Sequence, residues 1–329
     1  MKLEFYAKQK NIADALIYLA RSNLNNHKFK QNLNLIKLKI KNIRYIVEAL
    51  LVRFGLWFFS IIGLNNASKL AAKIAVIIGK KIPVHQLAYK NLSNALPNLN
   101  EIQKEKILDD MWDNLGRVVG EYPHVARFSE QELRKFVKIT DETIDNIAAM
   151  KNGKKGGIIF SGHFSNWELG PKLLSSFGLK VGTVYRPLNN PYVEKMTAAI
   201  RGTEMITKSA QGNRRIIEII KNGGYVLIMA DQKISEGEAI QFFHDTAVTT
   251  TAIARIALKY NAALIPARII RTAKAFEFCG EVEKPLEIQR SDNINEDVFK
   301  LTLAINRKLE SWITQYPAQW FWVHNRWKK

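Results

Sequence analysis

The stretch Gly156-Gly157-Ile158-Ile159-Phe160-Ser161-Gly162-His163-Phe164-Ser165-Asn166-Trp167-Glu168-Leu169-Gly170 frames the rest of the chain. Its apolar run, Gly157 to Phe160, has the pattern of a short strand buried on both faces. The residues beyond it run into a helix. His163 then stands at the strand exit and Glu168 in the first helical turn. An imidazole and a carboxylate so placed can meet at the mouth of a cleft, and such a pair can deprotonate an alcohol near neutral pH. The same letters admit a plainer reading: Ser165-x-x-Glu168 is also a capping box, which leaves His163 an ordinary polar loop residue.

Downstream, short β-rich runs recur at Lys180–Tyr185, Tyr225–Ala230 and Ala263–Ile270, with helical segments at Arg214–Lys221 and Thr251–Tyr260 between them. Alternation of this kind predicts an α/β domain whose central sheet is mostly parallel and flanked by helices. Ligands of such sheets bind outside the carboxyl ends of the strands. His163 and Asp231 are both expected there. Upstream, Leu92 to Phe128 has helical periodicity, with Pro97 as a breaker.

The N-terminal third has a different texture. Residues 1–44 read as a basic arm, with ten Lys and Arg against Glu4 and Asp14. It is either a solvated arm or a polybasic segment lying on anionic lipid. The most apolar stretch follows, from Ala49 to Leu64, with Trp57, Phe58 and Phe59 near its centre. It is slightly short for a membrane span and carries Arg53. Three readings stand: a span, an interfacial helix or hairpin, and a buried helix of a soluble domain. The expected organisation is therefore a basic arm over 1–44, a membrane-associating helical region over 45–82, and a catalytic-type domain over 83–329.

Composition narrows the partners. In 329 residues there are 49 Lys and Arg against 30 Asp and Glu, a net charge of +19. A negatively charged partner is expected: nucleic acid, an anionic membrane face, an acidic carrier protein or a phosphorylated substrate. No nucleic-acid motif accompanies the charge. Cys279 is the single cysteine, so an internal disulfide framework and thiolate metal clusters are excluded. The six histidines are scattered, which argues against a histidine-rich metal site.

The chain has no G-x-S-x-G elbow, Walker loop, G-x-G-x-x-G or H-E-x-x-H. A histidine and carboxylate without an enzymic serine suit direct acyl transfer, in which the substrate's own hydroxyl attacks a thioester. Four blocks add to this. His163 through Glu168 resembles the H-x-x-x-x-[DE] signature of the glycerolipid acyltransferase superfamily, and Asn166-Trp167-Glu168 resembles the G-N-W-E of its lipid A late acyltransferase branch, with Ser165 in place of the glycine. Tyr185-Arg186-Pro187-Leu188-Asn189-Asn190-Pro191 is similar to the branch's Y-R-P-x-x-N-P. Ala230-Asp231-Gln232 with Gln241-Phe242-Phe243 is similar to its D-Q and F-F-G blocks, with His244 in place of the glycine. Residues Pro317 to Lys328 resemble its C-terminal P-x-Q-W-x-W-x-H-R-R-W-K, with Asn325 in place of one arginine.

The resemblance spans about Tyr45 to Lys329 and implies a glycerolipid-acyltransferase-like fold. It implies His163 as general base, with Glu168 fixing and polarising it. It also implies Arg186 and Arg201 as holders of phosphate or developing negative charge, and Asp231 and Asn166 as substrate-side residues, Asp231 positioning substrate or a basic partner. It implies an acyl chain donated by acyl carrier protein to a hydroxyl on a primary 3-hydroxyacyl chain of a lipid A precursor, at the cytoplasmic face of the inner membrane. No cofactor or metal is implied, because the thioester already activates the acyl group. Two other readings stay open. One is an acyltransferase for another glycero- or glycophospholipid. The other is a non-catalytic basic protein bound to a membrane, which high salt would strip from it. The Trp320-Phe321-Trp322 cluster is expected to pack rather than catalyse.

Overall fold

The computed structural model describes residues 27–327 apart from 154, 202, 235, 236 and 274, and leaves out the side chains of 27–30, 32, 33 and 199–201. The described residues form two compact units. The smaller comprises the chain up to Phe54 together with Asn189–Glu194; the larger comprises the rest.

Helix α1 (His27–Ile61) contributes its residues up to Phe54 to the smaller unit. Within that unit the Asn190 amide donates to the Tyr45 carbonyl at 2.8 Å and to Glu48 at 3.1 Å, and the Tyr192 hydroxyl donates to Asn42 at 3.1 Å. The expected boundary after residue 44 falls inside this helix. The apolar run Ala49–Leu64 is broken at its end: α1 stops at Ile61, Gly63 adopts a φ of +80°, and α2 (Leu64–Gly79) begins. A left-handed residue is cheap only for glycine. No described helix is long and apolar enough to cross a membrane. Leu50, Leu51, Phe54, Trp57 and Ile61 of α1 are exposed.

In the larger unit, α2 packs on α4 (Glu101–Val125) through small residues. Gly116 and Gly120 of α4 sit against the backbone at Ala71 and Ala67, where a Cβ would come within 2.4 and 2.3 Å of a carbonyl oxygen. Between them in sequence, α3 (Val84–Ala95) ends just before Pro97. The Asn100 side chain caps α4 from the other side of the break, in a reciprocal box with Gln103.

Beyond it come α5 (Glu130–Phe136), β1 (Val137–Ile139), α6 (Asp141–Asn152), β2 (Gly157–Ser161), α7 (Leu169–Ser176), β3 (Val181–Tyr185), α8 (Pro191–Arg201), β4 (Glu204–Thr207), α9 (Ala210–Lys221), β5 (Tyr225–Met229), β6 (Glu238–Phe242), β7 (Asp245–Thr249), α10 (Ala252–Tyr260), β8 (Ala263–Arg271), β9 (Phe278–Val282) and α11 (Ile294–Gln315). Seven strands form one sheet in the order β1-β9-β8-β2-β5-β3-β4, parallel except for β8 against β9. The expected α/β class and mostly parallel sheet are what the chain adopts.

β2 lies centrally between β8 and β5, and all five of its residues are buried. That burial on both faces is why its sequence is continuously apolar rather than alternating. Helices cover both faces, and the carboxyl ends of β2, β5, β3 and β4 lie along one edge. β6 and β7 form a separate hairpin closed by Phe243-His244. Phe243 carries the positive φ there, at +57°, and His244 does not. The histidine in the place of the family's glycine therefore has no left-handed backbone to strain.

Candidate active site

His163 leaves the end of β2, as its place in the sequence suggests, and the first turn of α7 begins later than expected. Glu168 occupies the N-cap position of α7 with no capping hydrogen bond from its side chain. The alternative capping box does not form, because the Ser165 hydroxyl is buried without a partner. Ser165 has a φ of +48°, the left-handed region that favours glycine, which accounts for a glycine at that position in the G-N-W-E pattern.

The atom that meets the His163 ring comes from another strand. Asp231, two residues past β5, places Oδ1 at 2.8 Å from His163 Nδ1, and its Oδ2 accepts the His163 backbone N–H at 2.7 Å. Trp320 Nε1 donates to the same Oδ2 at 2.8 Å. Burial pushes the Asp231 carboxyl up, but the charge of His163, the hydrogen bonds to its ring and backbone, and the Trp320 donor outweigh it and hold the carboxyl at about 2. An ionised carboxylate only accepts, so Nδ1 carries the proton and Nε2 presents its lone pair when the ring is neutral. The Gln232 amide stands 3.3 Å from Nε2, a contact long enough for a hydroxyl to replace.

The orienting position beside the His163 ring, expected for Glu168, is thus held by Asp231, the residue expected only to position substrate or a basic partner. Glu168 lines the cavity onto which His163 opens. That cavity has a volume of about 330 Å³. Arg186 is on its wall, as are Lys208, Phe321, Val184 and Met229. A separate, smaller space, about the size of one water molecule, shares Trp167 and Met229 as lining residues and lies between α7 and the sheet, beside Leu173 and Leu174. Arg201 ends α8, and its side chain lies outside the described residues.

Asn166 does not fit a substrate contact. It is 1% exposed, and its amide donates at 2.9 Å to Glu121, which is fully buried on α4. Glu121 also accepts the Ser68 hydroxyl and both Nη atoms of Arg271, each at 2.8 Å. Arg271 Nε donates to Asn114 at 3.1 Å. Gln319 brackets the Arg271 backbone, donating to its carbonyl and accepting its N–H, while the Gln319 carbonyl accepts the Ser165 N–H. A sealed polar network therefore ties the loop after His163 to α4, the end of β8 and the C-terminal segment. Glu121 and Arg271 compensate each other's charge, as burial of an ion pair requires.

His324 is the histidine of the C-terminal block. It accepts the Lys233 backbone N–H at Nε2, at 2.8 Å. Burial lowers its pKa; Asp231 pulls up, and His163, Arg326 and Lys233 push down. A neutral His324 so pinned fixes the backbone just after Gln232. Trp320 and Trp322 are buried as expected of packing residues, yet Trp320 also reaches the site through its indole N–H. Among the described residues no three His, Cys, Asp or Glu side chains gather as metal ligands.

Comparison with known proteins shows the family. Residues 36–329 match the family described as bacterial lipid A biosynthesis acyltransferase. A lipid A biosynthesis acyltransferase of Haemophilus influenzae is 24% identical over 82% of this chain and 84% of its own length. The lipid A biosynthesis palmitoleoyltransferase and lauroyltransferase of Escherichia coli are 23% and 22% identical, each over 74% of this chain and 78% of their own lengths. With nearly the whole described chain inside that match, the protein belongs to the bacterial lipid A biosynthesis acyltransferase family.

Proposed function

We propose that this chain transfers a fatty acyl group from the thioester of acyl carrier protein to a hydroxyl on a primary 3-hydroxyacyl chain of a lipid A precursor. The observation that carries the reading is the His163 ring, held by Asp231 on one nitrogen and open to a partly apolar cavity on the other. The acceptor hydroxyl replaces Gln232 at Nε2 and gives up its proton there as its oxygen attacks the thioester carbonyl. Asp231 balances the imidazolium that forms. The C–S bond then breaks, the imidazolium returns the proton to the departing thiolate, and an ester remains. Glu168 acts from the cavity wall, Arg186 faces the negative charge of substrate or transition state, and Arg201 is assigned the same part on its sequence block alone. Acyl hydrocarbon lies against Val184, Met205 and Met229.

The location follows from the substrates. The proposed location is the cytoplasmic face of the inner membrane; exposed apolar residues and lysines of α1 and α2, which suit the surface of an anionic leaflet, support a membrane setting. The basic charge serves acidic carrier protein, phosphorylated lipid and membrane; nucleic acid has no part. Purified protein with a lipid A precursor and a panel of acyl carrier thioesters of different chain lengths tests the reading. Transfer is expected, and its loss in folded His163→Ala and Glu168→Ala. Near-normal transfer by purified His163→Ala ends the catalytic assignment. An unchanged acyl count in lipid A from a deletion strain moves the acceptor to another phospholipid.

A further inference from the structure

β3 and β4 are adjacent parallel strands whose register pairs Tyr185 with Thr207. The next residue on each is a cation, Arg186 and Lys208. Neighbouring strands run about 4.8 Å apart, so the two residues leave the sheet side by side, at its carboxyl-terminal edge. Both line the cavity that holds His163. Four other arginines of this unit are matched with carboxylates: Arg117 with Asp113, Arg215 with Glu204, Arg268 with Glu281 and Arg271 with Glu121. Among the described residues, no carboxylate forms an ion pair with either Arg186 or Lys208. Removal from water, and then the charge of Arg186, push the Lys208 ammonium below the usual lysine range, while Asp231 pulls it up. Asp231 is already committed to His163 and Trp320. Two neighbouring cations on a cavity wall, with no ion-paired carboxylate among the described residues, are complementary to an anion with several acceptor oxygens.

We propose that Arg186 and Lys208 together form a phosphate-binding subsite of the substrate cavity. This rests on the acyl-transfer reading for its ligands. Phosphate there comes either from the acceptor glycolipid or from the phosphodiester of the phosphopantetheine arm that bears the acyl thioester. Lys208 supplies a movable point charge and Arg186 a planar fork, and the bound anion relieves their mutual repulsion.

Equilibrium binding to the full-length protein in detergent tests this without any turnover. The probes are a lipid A precursor with and without its phosphates, and acyl-phosphopantetheine against the acyl thioester of N-acetylcysteamine, which has no phosphate. Lys208→Gln is expected to weaken one phosphorylated probe about tenfold, equivalent to ~1.4 kcal/mol, to leave its phosphate-free counterpart unchanged, and to be rescued by Lys208→Arg. Arg186→Gln is expected to weaken the same probe. Whichever pair shows the difference identifies the source of the phosphate. Unchanged binding of both phosphorylated probes, or equal weakening of the phosphate-free ones, overturns the subsite. A protein that shows the phosphate-dependent difference yet transfers no acyl group keeps the subsite and loses the proposed reaction.

Discussion

His163 and Asp231, 68 residues apart in the chain, are joined twice: ring Nδ1 to Oδ1 at 2.8 Å and backbone N–H to Oδ2 at 2.7 Å. One carboxylate thereby fixes both the ring and the backbone that carries it. The ring cannot turn away from the cavity without losing a charge-assisted bond in a buried setting.

Asp231→Asn keeps the shape but offers Nδ1 an amide. If the amide N–H faces the ring, Nδ1 becomes the acceptor and the proton moves to Nε2, where the base is needed. Acyl transfer by the folded variant is expected to fall on the order of a thousandfold in kcat. Steady-state kinetics on protein with an unchanged circular dichroism spectrum decides it. A loss under tenfold would mean that Asp231 does not set the ring's tautomer.

Trp320→Phe removes a single donor from Oδ2 and keeps most of the ring. Asp231, with a folded value of about 2 against 3.8 for the free side chain, contributes stability that is present above 3.8 and is lost as pH falls through about 2. Without the indole N–H the folded value rises, so the contribution shrinks. A stability loss of about 1–3 kcal/mol at pH 7 is expected, with a several-fold fall in kcat. Urea unfolding at pH 7 and at pH 3, together with the rate, reads both effects.

Ser165→Gly is expected to stabilise. The serine has a left-handed backbone, φ +48°, and a fully buried hydroxyl with no partner. The strain costs about 1–2 kcal/mol, and the unpaired hydroxyl adds to it. Loss of a small side chain and greater freedom of the unfolded glycine offset part of that. A net gain of about 1 kcal/mol by denaturant midpoint is the expected outcome; a net loss would show that the serine packs better than its geometry indicates.

His324→Gln tests the pinned histidine. Its folded pKa is depressed, chiefly by burial, so its contribution is complete above the unfolded value, about 6.5. The contribution diminishes as pH falls below that value toward the lower folded one. Over that window the wild-type protein should lose stability with a slope of up to ~1.4 kcal/mol per pH unit from this group. Glutamine can still accept the Lys233 N–H but cannot protonate, so the variant's stability should vary less between pH 7.5 and 5.5. Parallel curves for the two proteins over that range would remove His324 as the cause.

Local pattern made part of this legible. β2, β3, β5 and β8 were readable because buried parallel strands are continuously apolar, and His163 was placed at a strand exit for the same reason. β4 (Glu204–Thr207) and β9 (Phe278–Val282) carry no such signal, being short and interrupted by polar residues or glycine. The nearest acid in sequence, Glu168, drew the partnership that belongs in space to Asp231, because parallel strands β2 and β5 end side by side while their residues are far apart in the chain. Trp320 read as a packing residue because an indole N–H reaching a carboxylate leaves no trace in sequence. Asn166 looked like a ligand contact because a buried amide and a substrate-binding amide are the same letter; only the position of Glu121 separates them.

Glu121 sits at the centre of the sealed network, fully buried and accepting from Ser68, Asn166 and both Nη atoms of Arg271. Glu121→Gln leaves the Arg271 guanidinium buried without a counter-charge, since its other bonds go to the neutral Asn114 and to a carbonyl. A cost of about 3–5 kcal/mol follows. Because Asn166 hangs from the same carboxylate, the loop carrying His163 should loosen as well, and activity should fall further than the folded fraction explains. The double variant Glu121→Gln with Arg271→Met removes the uncompensated charge. It should recover much of the stability while leaving Asn166 with a weaker, neutral partner. Recovery of stability without recovery of rate would separate the network's hold on the loop from its contribution to the core, and full recovery of both would show that the network serves stability alone.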